Sequence, residues 1–401
     1  MRTFVVLLAV LAVGCSDGDV NTRQEDSVTY ALNSAGLLSL LEQSSAGETI
    51  YLDEGGTFEG TFTVPSGVSL DGNNAQIVAT TAAGLILDSV TDDSAIRNLR
   101  INSERGGIVA FAGNGTANLL LENITVSVQR GFGIATENLN VTAKNVDIRG
   151  PIRGADDPLL DELGEEINGA EHAILGFVSA FGQVSLENLR VSGIGGFGVI
   201  LYETEGSWTE GTIQNCVGVS ILAENSELIL DSVDVSDGLS GRKIGFALPS
   251  IGLIAAAQSN ITTNNLSIQR VREIGLIQSA SDTTHSGLLI RDSDWAGAVA
   301  IARETYAGSF STEGTASRIE SARGAGVIAT GLQTVNISNL TIDETRLRPA
   351  IGDGMGIFEI GDGLALIGIQ EQINLNEVAV LNTPRVAIFL DGGSSAVEPG
   401  F

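Results

Sequence analysis

A short pattern recurs along most of this chain and limits its possible folds more than any other feature of the sequence. Two alternating apolar positions are followed by a polar residue and two more alternating apolar positions, most clearly in Leu119-x-Leu121-x-Asn123-Ile124-x-Val126. The alternation predicts a strand on each side of the polar residue, and the change of phase there predicts a bend that adds one residue. Copies recur about every 17 to 27 residues, with several longer insertions. Strand-built units of this length indicate a solenoid of stacked coils.

The polar position of the repeat is most often asparagine. Asparagine tolerates left-handed backbone angles and forms local hydrogen bonds, so it suits a bend. Because neighbouring strands lie roughly 4.8 Å apart, stacked asparagines are expected to form an amide ladder along the axis. This ladder explains most of the Asn-x-Ser/Thr triplets better than glycosylation does. Clear copies place Asn123, Asn145, Asn188, Asn265 and Asn339 in this position, and weaker copies place Asn98, Asn215, Ser232, Asp292, Arg318 and Glu377 there.

Pairs of glycines open several of the repeat units, as in Gly131-Phe132-Gly133 and Gly196-Phe197-Gly198. Glycine supplies the positive φ angles that a tight corner needs, so both members of each pair are expected at corners. A dinucleotide-binding fingerprint would require a third glycine between a strand and a helix, and no such context is present. The glycine pairs are therefore interpreted as structural.

The N-terminal part carries a recognisable succession of elements. Residues 30–44 have apolar positions at helical spacing, with Leu37, Leu40 and Leu41 on one face. The segment Gly47-Glu48-Thr49-Ile50-Tyr51-Leu52 follows, and then a turn and strand within residues 56–72. This succession resembles the opening of the right-handed parallel β-helix proteins of the pectate-lyase-like superfamily, with Glu48 in place of the usual aspartate.

The resemblance implies an all-β fold, a right-handed parallel β-helix solenoid of about 12 coils with an N-terminal capping helix. At one strand spacing per coil the rod would be roughly 55 to 60 Å long. Residues 28–401 are expected to form this single domain. The sequence near residue 390 shows no second capping helix, so the C-terminal edge is expected to be open and suited to forming a homo-oligomer.

The first fifteen residues resemble a bacterial lipoprotein signal. Arg2 is followed by an apolar run that is too short to span a bilayer, and Ala12-Val13-Gly14-Cys15 resembles a lipobox. This predicts a signal peptide at 1–14, an acylated Cys15 that anchors the protein in a membrane, and a flexible tether over 15–27. The expected location is the bacterial cell envelope. The alternative is an ordinary secretory signal with an incidental cysteine.

Composition excludes several classes of partner. The formal net charge is −28, so binding to the phosphate backbone of nucleic acids is not expected. Aromatic residues make up 5% of the chain and there are two histidines, which argues against a wide aromatic platform for sugars and against a histidine-rich metal centre. Trp208 is expected in or beside the core, and His285 is expected in a turn.

The longest insertion, residues 150–173, is strongly acidic. Clustered carboxylates suit Ca²⁺, so Asp156, Asp157 and Asp161 are candidate ligands, although no regular spacing fixes a coordination geometry. Glu171 and His172 follow in the same segment. The alternative is a solvated acidic loop, and no cofactor is required by this sequence.

A second insertion, residues 238–252, contains Arg242 and Lys243, the densest positive charge in the chain. Polyuronate lyases use such a base beside a carboxylate that is neutralised by Ca²⁺ or arginine. A catalytic site would therefore combine Asp157, Glu171 and His172 with Arg242 and Lys243, provided that both insertions meet on one side of the rod. The alternative is an ordinary surface pair.

No catalytic motif of a related enzyme family is present. Arg348-Pro349 lacks the rest of the pectate lyase pattern, and His172 precedes alanine rather than the glycine of polygalacturonases. The sequence therefore favours a cell-envelope lipoprotein that binds or displays polysaccharide or another envelope component and is not an enzyme. The alternative is a polysaccharide lyase, glycoside hydrolase or epimerase of the same fold with an unfamiliar active site.

Overall fold

The computed structural model describes residues 22–25, 28–113, 117–152, 173–243, 246–303, 306–346, 348–350, 358–360 and 362–391. Its helix α1, Ser34–Gln43, begins at the N-cap Asn33, whose side-chain Oδ1 accepts a hydrogen bond from the Gly36 amide (2.9 Å). Leu37 and Leu41 of α1 are buried against the first strands. The predicted capping helix is therefore confirmed.

The remaining elements are strands. Those before the acidic insertion are β1 Thr22–Glu25, β2 Val28–Ala31, β3 Thr49–Leu52, β4 Thr57–Glu59, β5 Phe62–Thr63, β6 Ser69–Asp71, β7 Gln76–Ala79, β8 Ala83–Val90, β9 Ser94–Ser103, β10 Gly106–Ala112, β11 Ala117–Val128, β12 Gly131–Glu137 and β13 Leu139–Arg149. Those between the acidic insertion and residue 301 are β14 Ala173–Glu187, β15 Arg190–Ser192, β16 Gly195–Gln214, β17 Val217–Glu224, β18 Glu227–Gly238, β19 Gly241–Lys243, β20 Phe246–Leu248, β21 Ile251–Ala256, β22 Asn260–Asn264, β23 Ser267–Val271, β24 Ile274–Ser279, β25 Asp282–Ser286, β26 Leu289–Arg291 and β27 Ala296–Ile301. The last are β28 Ser309–Thr312, β29 Ser317–Glu320, β30 Ala325–Thr330, β31 Thr334–Asp343, β32 Arg348–Ala350, β33 Phe358–Ile360, β34 Leu364–Ile367, β35 Gln372–Leu381 and β36 Ile388–Asp391.

The coil strands pair in parallel with the corresponding strands of the coils before and after them, which makes the fold a right-handed parallel β-helix. Each coil contributes to three sheets in turn. Sheet I contains, for example, the first half of β11 between β9 and β13, and sheet II contains the second halves of the same strands. Sheet III contains β10 between β8 and β12. The predicted fold class is confirmed, whereas the number of coils stays a prediction.

Single residues with left-handed backbone angles form the corners and stack in columns. The column between sheets I and II begins with Asn98, Asn123, Asn145 and Asn188, whose φ angles are 50°, 56°, 53° and 52°. The side-chain amide of Asn123 donates to Oδ1 of Asn98 (2.9 Å), that of Asn145 to Asn123 (3.1 Å) and that of Asn188 to Asn145 (2.8 Å). The predicted bend and amide ladder are both confirmed for these coils.

Three weaker members of the predicted column were assigned to the wrong register. Strand pairing continues the column from Asn188 through Glu210 (φ 55°) to Ser232. Asn215 and Asp292 instead belong to a second left-handed column between sheets II and III, and Arg318 lies within β29. The second column also contains Asp237 and Arg270. The two columns look alike in sequence because any polar residue suits either corner.

The core is filled by inward side chains that stack from coil to coil. Leu186, Trp208 and Leu230 follow one another in register in sheet I, and the exposed fraction of Trp208 is 1%. His285 continues the same row farther along and is fully buried, so its prediction as a turn residue was wrong. Burial lowers the pKa of His285 to about 3 because the charged form cannot be solvated there.

The two members of a glycine pair have different roles. Gly131 has a φ of +90°, as predicted for a corner. A Cβ atom on Gly133 would instead lie 2.3 Å from Cγ2 of Ile148, so this glycine gives the adjacent sheet room to pack. Gly84, Gly107 and Gly133 occupy the same place in successive coils, each facing a β-branched side chain.

The two ends of the described structure differ. β1 pairs antiparallel with β2 and lies within the segment predicted to be a tether. At the other end, β36 pairs with β34, and its side chains Ile388, Phe389 and Leu390 are about two-fifths exposed. No described helix is both long and apolar enough to cross a membrane.

Candidate functional site

A polar groove crosses the outer face of sheet I along the rod axis. It has a volume of about 530 Å³. Successive coils contribute to it in register, because Asn140 pairs with Asn118, Ser185 with Thr142 and Glu227 with Glu205. Its lining residues are Asn118, Asn140, Val141, Thr142, Gln183, Val184, Ser185, Glu205, Gly206, Glu227 and Ile229.

The shape of the groove follows from the size of these side chains. Thr142 and Ser185 lie beside one another on the outer face and form a low floor. At Gly206 a Cβ atom would lie 1.8 Å from the carbonyl oxygen of Val184, so glycine keeps this stretch of backbone close to the preceding coil. Gln183 and Glu205 are longer and stand along one side. The result is a shallow channel with hydroxyls on its floor and longer polar groups on its wall.

A buried ladder of hydroxyl groups holds this wall in place. The backbone amide of Thr204 donates to Oγ of Ser226 (3.1 Å), and the amide of Ser226 donates to Oγ of Ser259 (3.1 Å). The Ser226 hydroxyl donates in turn to the carbonyl oxygen of Glu224 (2.9 Å). Glu205 and Glu227 directly follow Thr204 and Ser226, so their backbone positions are fixed by satisfied buried hydrogen bonds.

The polar side chains of the groove differ in whether their hydrogen-bonding groups are already used within the protein. Asn118 donates to Oδ1 of Asp93 (2.9 Å) and accepts from Asn140 (3.3 Å). Gln183, Glu205 and Glu227, in contrast, have no side-chain hydrogen bond or ion pair to another described residue. None of the lining residues is arginine or lysine. The groove therefore offers amide, hydroxyl and carboxylate groups to a ligand.

The groove was not predicted from the sequence. Its residues occupy the outward positions of the repeat, where polar side chains are ordinary, and they come from distant parts of the chain. The one signal available was the run of small hydroxyl residues at corresponding outward positions, such as Thr142, Ser185 and Ser207. Only the register of the coils shows that these residues are neighbours.

The acidic candidates lie outside the described residues. This applies to the proposed metal ligands Asp156, Asp157 and Asp161, to Glu171 and His172, and also to the acylation site Cys15. Among the residues that are described, no three His, Cys, Asp or Glu side chains are grouped so that they could hold a metal ion.

The basic candidates lie on a hairpin. Arg242 and Lys243 belong to β19, which pairs antiparallel with β20. This hairpin leaves the rod between sheets II and III, after β18 and before β21. The acidic insertion leaves at the same corner, between β13 and β14. Both insertions therefore start from one side of the rod, as a joint site requires.

The starting points of these two insertions are connected by a small apolar cluster. Ile152, Val217 and Leu239 pack together and are at most 8% exposed. Ile152 directly precedes the undescribed part of the acidic insertion, and Leu239 precedes the hairpin. Val217 lies between them along the rod, in the coil next to that of Leu239.

A third interruption of the repeat, residues 303–318, begins at another corner, between sheets III and I. The Tyr306 hydroxyl donates to the carboxylate of Asp282, and the Ser309 hydroxyl donates to its other oxygen (2.6 Å). The hydrogen bond to Asp282, together with burial, raises the pKa of Tyr306 to about 12. Arg303 donates to Oγ of Ser279 (3.0 Å). These contacts hold the loop against the preceding coil and favour a structural role.

The buried cysteine is not a reactive centre. Burial raises the pKa of Cys216 to about 12, so the thiolate that would act as a nucleophile or metal ligand is not formed near neutral pH.

Comparison with known proteins shows likeness in structure only. No family model matches the chain, and no curated protein matches it in sequence. The structure is similar to the A-module of the mannuronan C-5 epimerase AlgE6 of Azotobacter vinelandii, at 10% identity, 91% coverage of this chain, 94% coverage of that chain and a TM-score of 0.38. It is also similar to tailspike protein 3 of bacteriophage CBA120, at 12% identity, 91% coverage of this chain, 58% coverage of that chain and a TM-score of 0.38. The surface protein and adhesin PfbA of Streptococcus pneumoniae is similar as well, at 9% identity, 88% coverage of this chain, 94% coverage of that chain and a TM-score of 0.35.

Proposed function

We propose that this protein binds a polysaccharide along the outer face of sheet I and does so without catalysis. The observation that carries the proposal is the groove itself, which runs across successive coils and presents unpaired amide and carboxylate groups above a hydroxyl floor. A linear chain of sugars has the shape to follow such a channel and many hydroxyls to satisfy these groups. Water-mediated and direct hydrogen bonds of this kind position a ligand precisely enough for recognition.

Affinity electrophoresis tests this proposal. The protein is run in native gels that contain soluble dextran, β-glucan, galactomannan, alginate or polygalacturonate, and retardation by at least one of them is expected. Ser185→Trp fills the groove floor at an exposed position, so it should remove the retardation without unfolding the protein. Thr341→Trp places the same ring on sheet II as a control and should leave the retardation unchanged. Absence of retardation in every gel would overturn the proposal.

We also propose that Cys15 carries an acyl anchor that holds the protein in the bacterial cell envelope. The support is the lipobox-like sequence that ends at this cysteine. In a bacterial host, the wild-type chain should enter the detergent phase on phase separation, and the Cys15→Ser variant should stay in the aqueous phase. Equal partitioning of the two chains would contradict the anchor.

A second candidate function is catalysis on an acidic polysaccharide. The observation that favours it is that the acidic and basic insertions start from the same corner and share the Ile152, Val217 and Leu239 cluster. Here Arg242 or Lys243 would take the proton beside a uronate carboxylate that Ca²⁺ on Asp156, Asp157 and Asp161 would neutralise. The neighbouring glycosidic C–O bond would then break to leave a double bond in the uronate, and Glu171 or His172 would give a proton to the leaving sugar oxygen.

Measurement of unsaturated uronate products and of released reducing ends tests this candidate. Activity that requires Ca²⁺ and falls by about two orders of magnitude in Arg242→Ala or Lys243→Ala would establish it in place of a binding role. The groove variant Ser185→Trp should then keep its activity. Lack of any product on alginate and polygalacturonate would count against it.

A further inference from the structure

Phe181 has a backbone conformation that is unfavourable for phenylalanine. It lies in the third left-handed corner column, between sheets III and I, with a φ of +58°. Corresponding corners in other coils have similar angles and carry residues that are smaller or more polar than phenylalanine, namely Asn138, Glu203, Asn225, Ala257 and Ala280. A bulky residue is disfavoured in this conformation, and Phe181 is 42% exposed, so burial offsets the strain only in part. Strain at an exposed aromatic residue points to a role outside stability.

A second aromatic ring lies against Phe181. Tyr202, from the next coil, packs edge to face with it at a centroid distance of 5.3 Å and an interplanar angle of 83°. Such T-shaped pairs are favourable and restrict the motion of both rings. Composition argues against a wide aromatic platform in this protein, and in this pair Phe181 is the more exposed ring.

The corner that carries Phe181 leads directly into the groove wall. Phe181 is two residues before the wall residue Gln183 on the same strand, β14. Between them, a Cβ atom on Gly182 would lie 2.0 Å from the carbonyl oxygen of Leu139, so the backbone is held tightly against the preceding coil. The backbone of Phe181 is therefore held at the corner before the wall rather than carried on a free loop.

The charge of the groove selects among polysaccharides. Its ionisable lining residues are the carboxylates Glu205 and Glu227, with no arginine or lysine among the lining residues. Carboxylates accept hydrogen bonds from sugar hydroxyls and repel the carboxylates of a polyuronate. A binding site for polyuronates would have the opposite charge. This argues for an uncharged ligand.

We propose that the groove binds a neutral polysaccharide and that one sugar ring stacks on Phe181 while its neighbours donate hydrogen bonds to Glu205 and Glu227. This inference rests on the proposed binding function and adds the class of ligand and an anchoring residue. The electron-rich face of an aromatic ring attracts the polarised C–H groups of a sugar, which explains why a strained, exposed phenylalanine is useful here.

Replacement of Phe181 by asparagine separates binding from folding. Asparagine accepts the left-handed conformation, so Phe181→Asn should unfold at the same temperature as the wild type or higher. Its apparent dissociation constant for the retained neutral polysaccharide, measured from gel mobility, should rise roughly three- to tenfold. Phe181→Tyr keeps the aromatic ring and should bind like the wild type. Ile301→Asn removes a side chain of similar exposure, 40%, farther along the row that contains Tyr202, and should also bind like the wild type.

The outcomes distinguish the two proposals. Unchanged binding by Phe181→Asn, together with loss of binding by Ser185→Trp, would overturn the role of Phe181 and leave the groove as the binding site. Retardation by alginate or polygalacturonate but by no neutral polysaccharide would overturn the ligand class. Failure of the wild type to bind any of them would overturn both proposals. Binding to a neutral polysaccharide that falls in both variants and persists in the two controls would support both.

Discussion

At the residue scale, left-handed asparagines make two separate contributions. Asn123 provides a backbone angle (φ 56°) that most residues adopt at a cost, and its side chain joins the ladder between Asn98 and Asn145. Glu210 occupies the same corner in a later coil without an amide, so the conformation and the ladder are separable.

Variants at Asn123 should show these two contributions. Asn123→Ala loses both the favourable conformation and two hydrogen bonds, and we expect the free energy of unfolding to fall by about 1 to 2 kcal/mol. Asn123→Gly restores the conformational freedom and should lose less. Urea denaturation followed by circular dichroism measures both values. Equal losses in the two variants would mean that the ladder alone matters.

His285 should make stability depend on pH. Its pKa is about 3 in the folded protein and close to 6.5 in an unfolded chain. Between these values the unfolded chain binds a proton that the folded protein does not, so stability falls as the pH decreases from about 6.5 towards 3. Its Nδ1 lies 2.8 Å from Oγ1 of Thr263, a contact that asparagine is able to keep.

The variant His285→Asn isolates this effect from that of the many carboxylates. Between pH 4.5 and 6 the free energy of unfolding of the wild type should change by up to about 1.4 kcal/mol per pH unit more than that of the variant. Urea titrations at several pH values give the two slopes. Parallel slopes would show that His285 takes up a proton equally in both states.

At the element scale, the glycine column of sheet III sets how closely the sheets approach. A Cβ atom on Gly84 would lie 2.5 Å from Cγ2 of Ile101, which cannot be relieved without moving a packed strand. Ser220 takes the equivalent place in a later coil, between Gly198 and Gly252, and its buried hydroxyl has no described partner. The column therefore contains glycines at which a Cβ atom would clash and one serine whose Cβ atom is accommodated.

Alanine substitutions should have opposite effects at these two positions. Gly84→Ala overpacks the core and should lower the free energy of unfolding by about 1 to 3 kcal/mol. Ser220→Ala removes an unsatisfied buried hydroxyl from a place that already contains a Cβ atom, and should raise stability by about 1 kcal/mol. Thermal unfolding monitored by calorimetry compares them. Destabilisation by Ser220→Ala would indicate that its hydroxyl has a partner after all.

The sequence was sufficient to predict individual strands and bends, but not the register in which strands of different coils pair. Leu119 to Val126 identified strands, bend and ladder because local alternation and one asparagine determine them. Asn215 was misplaced because the second corner has the same local requirement as the first, and only pairing between coils separates them. The groove has no local signal for the same reason, since Thr142 and Ser185 are 43 positions apart in the sequence and become neighbours only through pairing between coils.

At the scale of the whole molecule, the two lateral faces next to the third corner differ in character. Sheet I presents the polar groove, whereas the outer face of sheet III carries an apolar cluster that includes Val219, Ile251 and Ile274. These three are at most 8% exposed, so the cluster is covered by its own neighbours. Of these two faces, sheet I therefore carries the groove for which we propose a hydrophilic ligand.

The C-terminal edge remains a predicted site of self-association. β36 has one described partner strand, and Phe389 on it is 41% exposed. We expect a Cys15→Ser chain, which lacks the acyl group, to form dimers as its concentration rises. Phe389→Lys should shift it to monomers because a charge at a strand edge opposes pairing. Ile301→Lys, away from this edge, is the control. Light scattering that shows monomers at every concentration would contradict the prediction.

The regularity of the corners has a consequence for how such a molecule changes over time. A coil without insertions occupies 22 residues, as from Thr204 to Ser226. If a segment of this length is gained or lost, each left-handed corner again lies next to an equivalent corner. The rod can therefore become longer or shorter during evolution by one complete coil at a time. The length of the outer faces can therefore grow by duplication without any redesign of the interior.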